Sequence, residues 1–183
     1  MEEQEVPTEG LSEKINEQAE KEKDWSFYIA ISTALIAVLA AITSLLAGHH
    51  SNEALIEQIK ASDQWAFYQA KGIKAAILEE RLENLQLNQQ EPPAAQQKKL
   101  SEYKKQQAEI NEKAEEMQKS SRHHDHLHLV FAGGVTLFQV AIAVSAISVL
   151  ARRPAFWYVG LVLGTIAIAF VIFGSVQWYH GLS

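Results

Sequence analysis

The feature that most constrains this chain is the separation of its charged residues from its apolar residues. Every lysine, arginine, aspartate and glutamate lies in residues 2–24, in residues 53–125 or in the pair Arg152–Arg153. The three long stretches outside these regions carry no charged side chain, although charged residues make up 21% of the 183 residues. A water-soluble domain mixes charged and apolar residues along each helix or strand, so this separation indicates an integral membrane protein.

Each uncharged stretch contains a segment long enough to cross a bilayer as a helix. Residues 25–47 would span about 34 Å at about 1.5 Å per residue, against a hydrocarbon core of about 30 Å. Residues 129–150 and 155–179 are similar, and tryptophan and tyrosine lie near the ends of the first and third segments, as expected at the lipid headgroups. The predicted fold is an all-α membrane protein with three transmembrane helices. Residues 1–24 are expected to form an acidic tail that is either mobile or an amphipathic helix on the membrane.

The segment between the first two transmembrane helices, residues 48–128, predicts a long antiparallel coiled-coil hairpin. Pro92–Pro93 interrupts it because consecutive prolines cannot lie inside a helix, so the turn is expected near residues 91–96. Each arm would project about 50 Å from the bilayer. Residues at alternating spacings of three and four form a predicted seam on the second arm that continues into the second transmembrane segment as one unbroken helix. This seam comprises Leu100, Tyr103, Gln107, Ile110, Ala114, Met117, Ser121, His124 and His128.

The first arm shows the same spacing less regularly, after a helix start that Ser51 or Asn52 is expected to cap. Both seams contain serine, glutamine and alanine, so one pair of arms would bury little apolar surface, and we expect a homo-oligomer. The predicted seam of the first arm comprises Leu55, Ile59, Ser62, Ala66, Gln69 or Ala70, Ile73 and Ile77.

Two further sets of residues indicate contact surfaces. Trp65, Phe67 and Tyr68 surround the first arm, so at least one ring is expected to face away from the seam. It would form a surface for a protein partner, or else contact the membrane interface or its own neighbours. The pairs Gly160 with Gly164 and Gly133 with Gly134 would let helices approach closely, either within one chain or between copies.

The histidines next to the transmembrane segments form the candidate binding site. Folding the chain about the prolines is expected to bring Asp63 near these imidazoles, and two or three imidazoles with a carboxylate would bind zinc or another divalent transition metal. Without metal, the same cluster would gain charge near pH 6 and respond to protons. Alternatively, histidine simply suits the headgroup boundary. The cluster comprises His49, His50, His123, His124, His126 and His128.

The composition excludes several classes of function. The chain has no cysteine, and its net charge of −6 disfavours nucleic-acid binding. It shows no phosphate-binding glycine loop and no nucleophile elbow, so we do not expect an enzyme. An oligomeric channel would need a polar stripe on the transmembrane helices, and Gln139, Ser145 and Thr165 supply only a thin one.

The run GHHSNEALIEQIKASDQWAFYQAKGIK, which follows an apolar helix, and the N-terminal VPTEGL resemble a bacterial family, domain-of-unknown-function family 4337. The resemblance covers nearly the whole chain. It implies a protein of the bacterial inner membrane and carries no activity, substrate or catalytic residue.

Orientation and function follow as expectations. Arg152 and Arg153, in a short connection without acidic residues, favour a cytoplasmic connection and N-terminus, with the hairpin in the periplasm. The leading prediction is a membrane-anchored, self-associating coiled-coil scaffold that contacts lipid, its own copies and, through the hairpin, a possible protein partner. The alternative is a membrane sensor or accessory protein that responds to metal or protons through the histidines.

Overall fold

The computed structural model describes the backbone of residues 8–181 and the side chains of residues 25–180. The chain forms three helices, α1 (Thr8–Leu87), α2 (Ala94–Ala151) and α3 (Pro154–Gly181), and residues 8–181 contain no strand. The predicted all-α fold is therefore confirmed. The amphipathic face predicted within residues 1–24 lies outside the described side chains.

Each of the first two helices joins a predicted transmembrane segment and a predicted hairpin arm in one continuous helix. Helix α2 runs without a break from Ala94 to Ala151, as the spacing of the second-arm seam predicts. Helix α1 is also continuous, so the predicted cap at Ser51 or Asn52 is wrong. A capping side chain is needed where the first turn lacks partners for its amide groups. Here the preceding turn is helical and already supplies the carbonyl acceptors.

Both interhelical connections contain a residue in the left-handed backbone conformation. Gln89 has a φ of 58°, and the Gln90 amide donates a 2.9 Å hydrogen bond to the Leu85 carbonyl oxygen. Arg152 has a φ of 52°, and the Arg153 amide donates to the Ser148 carbonyl oxygen at 3.1 Å. This bond pattern, which spans five residues, closes the last turn of a helix without a glycine. Pro154 then starts α3 at a position where a missing amide hydrogen costs nothing.

The chain divides into two compact units. The first, here called the apolar unit, comprises residues 1–47 and 129–183. Its described core joins Ile36 and Ala40 of α1, Phe138 and Ala141 of α2, and Ala167 of α3. All three helices are long and apolar enough to cross a membrane, yet only 22–28% of the most apolar part of each is buried. Most of the apolar surface of these helices therefore faces outward.

Small residues bring α2 and α3 close together in the apolar unit. A methyl group added at Gly160 would collide with the Ser145 hydroxyl and lie 3.0 Å from the Ala141 carbonyl oxygen. Near the same end of α3, the indole Nε1 of Trp157 donates a 3.0 Å hydrogen bond to the Ser32 hydroxyl of α1. Gly160 thus permits a backbone approach that a larger residue would block.

The second unit, residues 48–128, contains two helical segments that run antiparallel. We call residues 48–87 arm 1, residues 94–128 arm 2, and the two together the paired arms. The Ser121 hydroxyl donates to the Ala54 carbonyl oxygen at 2.8 Å, and Lys71 donates to the Gln106 side chain at 2.6 Å. The arm 2 residue number rises from 106 to 121 as the arm 1 residue number falls from 71 to 54, so the two arms run antiparallel.

Every residue of the predicted arm 2 seam is at least partly buried, although the fully buried Leu127 was not predicted. Ala114 and Ser121 are buried, and the other members of the predicted arm 2 seam are partly buried. The arm 1 prediction is wrong, because Leu55, Ile59 and Ile73 are each at least 55% exposed. Alanines at seven-residue spacing are buried instead, at 54, 61 and 75, together with Leu82. Small residues allow the helix backbones to approach closely, and here that close approach outweighs the burial of larger side chains.

The register of the two arms also differs from the prediction. Turning the chain at Pro92–Pro93 would place residues near 58–63 beside 123–128, whereas His124 contacts His50. The reason is that α1 ends at Leu87 and the connection folds back, so that Pro92 and Leu82 line the same groove. The prolines therefore lie beside arm 1 and not at the tip of the paired arms.

Two helical glycines make a matched test of this packing. We expect Gly160→Ala to lower the free energy of unfolding by about 1–3 kcal/mol, because the added methyl group meets Ser145 and Ala141. Gly48→Ala should raise it by about 0.5–1 kcal/mol, since Gly48 lies inside α1 with no neighbouring atom within 4 Å of the new methyl group. Thermal unfolding followed by circular dichroism measures both changes. Equal effects of the two substitutions would contradict the close contact at Gly160.

Candidate functional site

The histidine cluster is the most distinctive side-chain arrangement in the paired arms. His50 lies three residues after the first apolar segment, and His124 lies five residues before the second. The antiparallel register brings these two residues face to face, so the contact joins positions 74 apart in the sequence. Six of the seven histidines of the chain belong to the paired arms.

The His50–His124 pair is closely packed. The two Nδ1 atoms are 3.0 Å apart, and the rings stack with centroids 5.3 Å apart and planes inclined by 30°. His50 is completely buried, with 0% of its surface exposed. A hydrogen bond between two Nδ1 atoms requires one to donate and the other to accept, so the two rings must hold different tautomers or share one added proton. The geometry therefore excludes two fully protonated rings.

Further histidines surround the pair. The His49 ring centroid lies 5.3 Å from that of His50, and the His123 ring centroid lies 5.9 Å from that of His124. One turn further along arm 1, the Ala54 carbonyl oxygen accepts a hydrogen bond from the buried Ser121 hydroxyl of arm 2. Two hydrogen bonds between buried polar groups therefore join the arms, one between His50 and His124 and one between Ser121 and Ala54.

The environment disfavours the charged form of both facing histidines. Burial lowers the pKa of His50 to about 4, with additional lowering from the charges of His124, His49 and His123, while Glu53 opposes this effect. The pKa of His124 is also lowered, first by burial and then by His123. Neutral imidazole is the form that accepts a hydrogen bond and the form that binds a metal ion.

The structure brings together only part of the predicted metal ligands. Within the described side chains, no three histidine, aspartate or glutamate residues are arranged to hold a metal ion. Asp63 lies thirteen residues from His50 on arm 1, a distance of about 20 Å along a helix, and its side chain is exposed. His126 is exposed and His128 is half-buried. The zinc site stays a prediction.

The predicted partner surface divides into two parts. Trp65 and Tyr68 are half-buried and contact each other edge to face, with ring centroids 5.5 Å apart. Phe67 is 59% exposed. Of the three aromatic rings, Phe67 therefore offers the largest open surface.

The predicted helix-packing glycines all lie against residues of the same apolar unit. Gly164 faces Ile36, Gly133 faces Phe170, and Gly134 faces Val171 and Ala167, in addition to the contact of Gly160 with Ser145. The other polar residues considered for a channel are exposed: Gln139 lies on the surface of α2, and the Thr165 hydroxyl donates to the Leu161 carbonyl oxygen of its own helix.

Sequence reasoning placed His50 and His124 in one cluster but did not predict that these two residues face each other. The signal that could have revealed the pairing is the recurrence of alanine at 40, 47, 54, 61 and 75, all in one heptad phase. Ala54 and Ala61 mark the face of arm 1 that turns toward arm 2. His50 lies four residues before Ala54 and hence on that face.

These features define an all-helical protein with three long apolar helices, in which two antiparallel arms meet through a buried histidine pair. Residues 25–177 match the model of the family described as domain of unknown function (DUF4337). The chain belongs to this family, which confirms the resemblance seen in GHHSNEAL and ASDQWAFYQAK. No curated protein and no solved structure matches the chain.

The histidine pair predicts that the paired arms lose stability on acidification. The pKa of His50 falls from an ordinary 6.5 to about 4 in the folded protein, so between these values the unfolded chain binds more protons. The free energy of unfolding should therefore decrease as pH falls from 6.5 to about 4, by on the order of 3 kcal/mol. Urea unfolding at a series of pH values measures this slope. His50→Gln should flatten it, whereas His126→Gln, at an exposed position, should not. Equal slopes in both variants would contradict the assignment.

Proposed function

We propose that this protein is a membrane-anchored scaffold subunit that associates with copies of itself and has no catalytic role. The observation that carries the proposal is the outward orientation of the apolar surface on all three long helices, of which less than a third is buried within the chain. Contact with lipid removes such a surface from water, since the hydrocarbon core needs apolar helices about 20 residues long.

The proposed location is the bacterial inner membrane. Arg152 and Arg153 lie together in the connection between α2 and α3, and short positively charged connections remain in the cytoplasm. The proposed topology therefore has the N-terminus on the cytoplasmic side and the paired arms in the periplasm. Membership in the family alone does not give this orientation, so the charge of this connection is its support.

The scaffold role follows from the composition of the paired arms. Arm 1 contributes mainly alanines to the contact with arm 2, while several of its large apolar side chains face outward. A single pair of such arms buries little apolar surface, and association with further helices would bury more. Long helices without an enclosing fold are suited to presenting surfaces to a partner or to further copies of the same chain.

Membrane anchoring and self-association can be measured together. We expect the protein to remain in the membrane fraction after alkaline carbonate washing, and native mass spectrometry of detergent-purified protein to show a discrete oligomer. The same spectrum would report any bound metal. A monodisperse protein in buffer without detergent would contradict the anchoring, and a monomer at all protein concentrations would contradict the self-association.

The histidine pair supports a second candidate, a sensor or accessory protein that responds to metal or protons. Nδ1 atoms 3.0 Å apart are close to the separation of about 3.3 Å that two nitrogens have on one tetrahedral zinc ion. A small shift would let both imidazoles bind the same ion, with His49, His123 or water completing the coordination. Such binding would replace the hydrogen bond between the rings and would become weaker as pH falls.

Calorimetric titration of the detergent-purified protein with zinc tests this candidate. We expect one binding event that is lost in the double variant His50→Ala/His124→Ala and retained in His126→Ala, because His126 does not belong to the facing pair. Retained helix content in the double variant shows that it is folded. Identical traces from the wild type and the folded double variant would exclude a zinc site at this pair.

A further inference from the structure

Arm 1 carries a second regular row of small and apolar residues on the side that faces away from arm 2. Its members are exposed and follow one another at alternating spacings of four and three. Leu55, Ile59 and Ile73 expose between 55% and 61% of their surface. We call this row the outer stripe, and it comprises Leu55, Ile59, Ser62, Ala66, Gln69, Ile73 and Ala76.

The outer stripe is specific to arm 1. On arm 2 the exposed positions between residues 101 and 119 are occupied by charged and polar residues and by Ala108. Exposure of large apolar residues is thus not a general property of the paired arms. A helix that is apolar on two opposite faces has one face toward its partner in the chain and needs another partner for the second.

We propose that the outer stripe is the contact surface between two copies of this chain, which pack through their arm 1 helices in parallel. This inference rests on the proposed scaffold function and specifies the surface it uses. Copies in one membrane share one orientation, so a closed dimer has its two-fold axis along the membrane normal. Equivalent helices then run parallel, and each stripe residue faces its own counterpart.

The residue types of the outer stripe suit a parallel two-stranded coiled coil. Ile59, Ala66 and Ile73 occupy one set of seam positions. The alternate set comprises Leu55, Ser62, Gln69 and Ala76. β-branched residues in the first set and leucine in the second favour two strands in parallel. Gln69 would face its counterpart, where the two amide groups can bond to each other and fix the register.

The residues that border the stripe are compatible with this pairing. In a parallel coiled coil, each bordering residue on one side meets the residue five positions later in the other copy. None of these pairs joins like charges, and Trp65 gains an apolar neighbour. The pairs are Gln58 with Asp63, Trp65 with Ala70, and Gly72 with Ile77.

Disulfide crosslinking in native membranes tests the pairing directly, because the chain contains no cysteine. We expect Ile59→Cys and Ile73→Cys each to form a covalent dimer under mild oxidation, with a yield at least roughly tenfold above that of Ala108→Cys on arm 2. A parallel pair also predicts that each variant links to itself. Links only between Ile59→Cys and Ile73→Cys in a mixture would indicate antiparallel packing and overturn the inference. So would an adduct whose mass is not twice that of the chain, which would indicate a different partner.

Charge substitution provides the second measurement. Ile59→Glu/Ile73→Glu should weaken dimerisation by at least about tenfold in detergent, whereas Ala108→Glu should leave it unchanged. Circular dichroism checks that the helices are retained. A wild-type monomer would contradict both the scaffold proposal and this inference. A wild-type oligomer that persists in the folded double variant would contradict the outer stripe alone.

Discussion

In the proposed membrane setting, a backbone amide must find its hydrogen-bond partner within its own segment, and this constraint accounts for the three long apolar helices. The uncharged stretches offer few polar side chains that could satisfy backbone groups, so helix is the only conformation in which each stretch satisfies itself. Once formed, a helix continues as long as no residue interrupts it. Helix α1 accordingly extends from Thr8 to Leu87 and α2 from Ala94 to Ala151, through polar and apolar sequence alike.

The parts of the fold that could be predicted are those in which large apolar residues also form the contact. The arm 2 seam is one such case, because Leu100, Ile110 and Met117 lie on the face that turns toward arm 1. On arm 1 the largest aliphatic residues face outward and alanines make the contact. A regular row of large apolar residues predicts a helix face that is buried against a partner. It does not predict whether that partner is the neighbouring helix of the same chain.

The candidate site was predictable in its residue types but not in its pairing. The histidines stand out by their clustering beside the apolar segments, yet the partner of His124 depends on a register that the connection sets. Residues 88–93 fold back along arm 1, and no periodicity in the sequence encodes that step. The buried pair resembles polar residues in other helical seams, which lower stability but select one alignment over its neighbours. A slip of arm 2 by one heptad would leave His50 facing an apolar residue, Met117 or Phe131.

Arg152 and Arg153, which follow the end of α2, affect both the backbone conformation and the charge at this helix end. Glycine would adopt the left-handed conformation of residue 152 without steric cost. For arginine, steric strain in this conformation costs roughly 1 kcal/mol. In return, two guanidinium groups stand beside the carbonyl-rich, negative end of the helix, and their charge resists transfer across a bilayer. In the proposed membrane topology, helix termination and insertion direction would therefore both depend on Arg152–Arg153. A sequence change that reversed the charge would at the same time loosen the last turn of the helix.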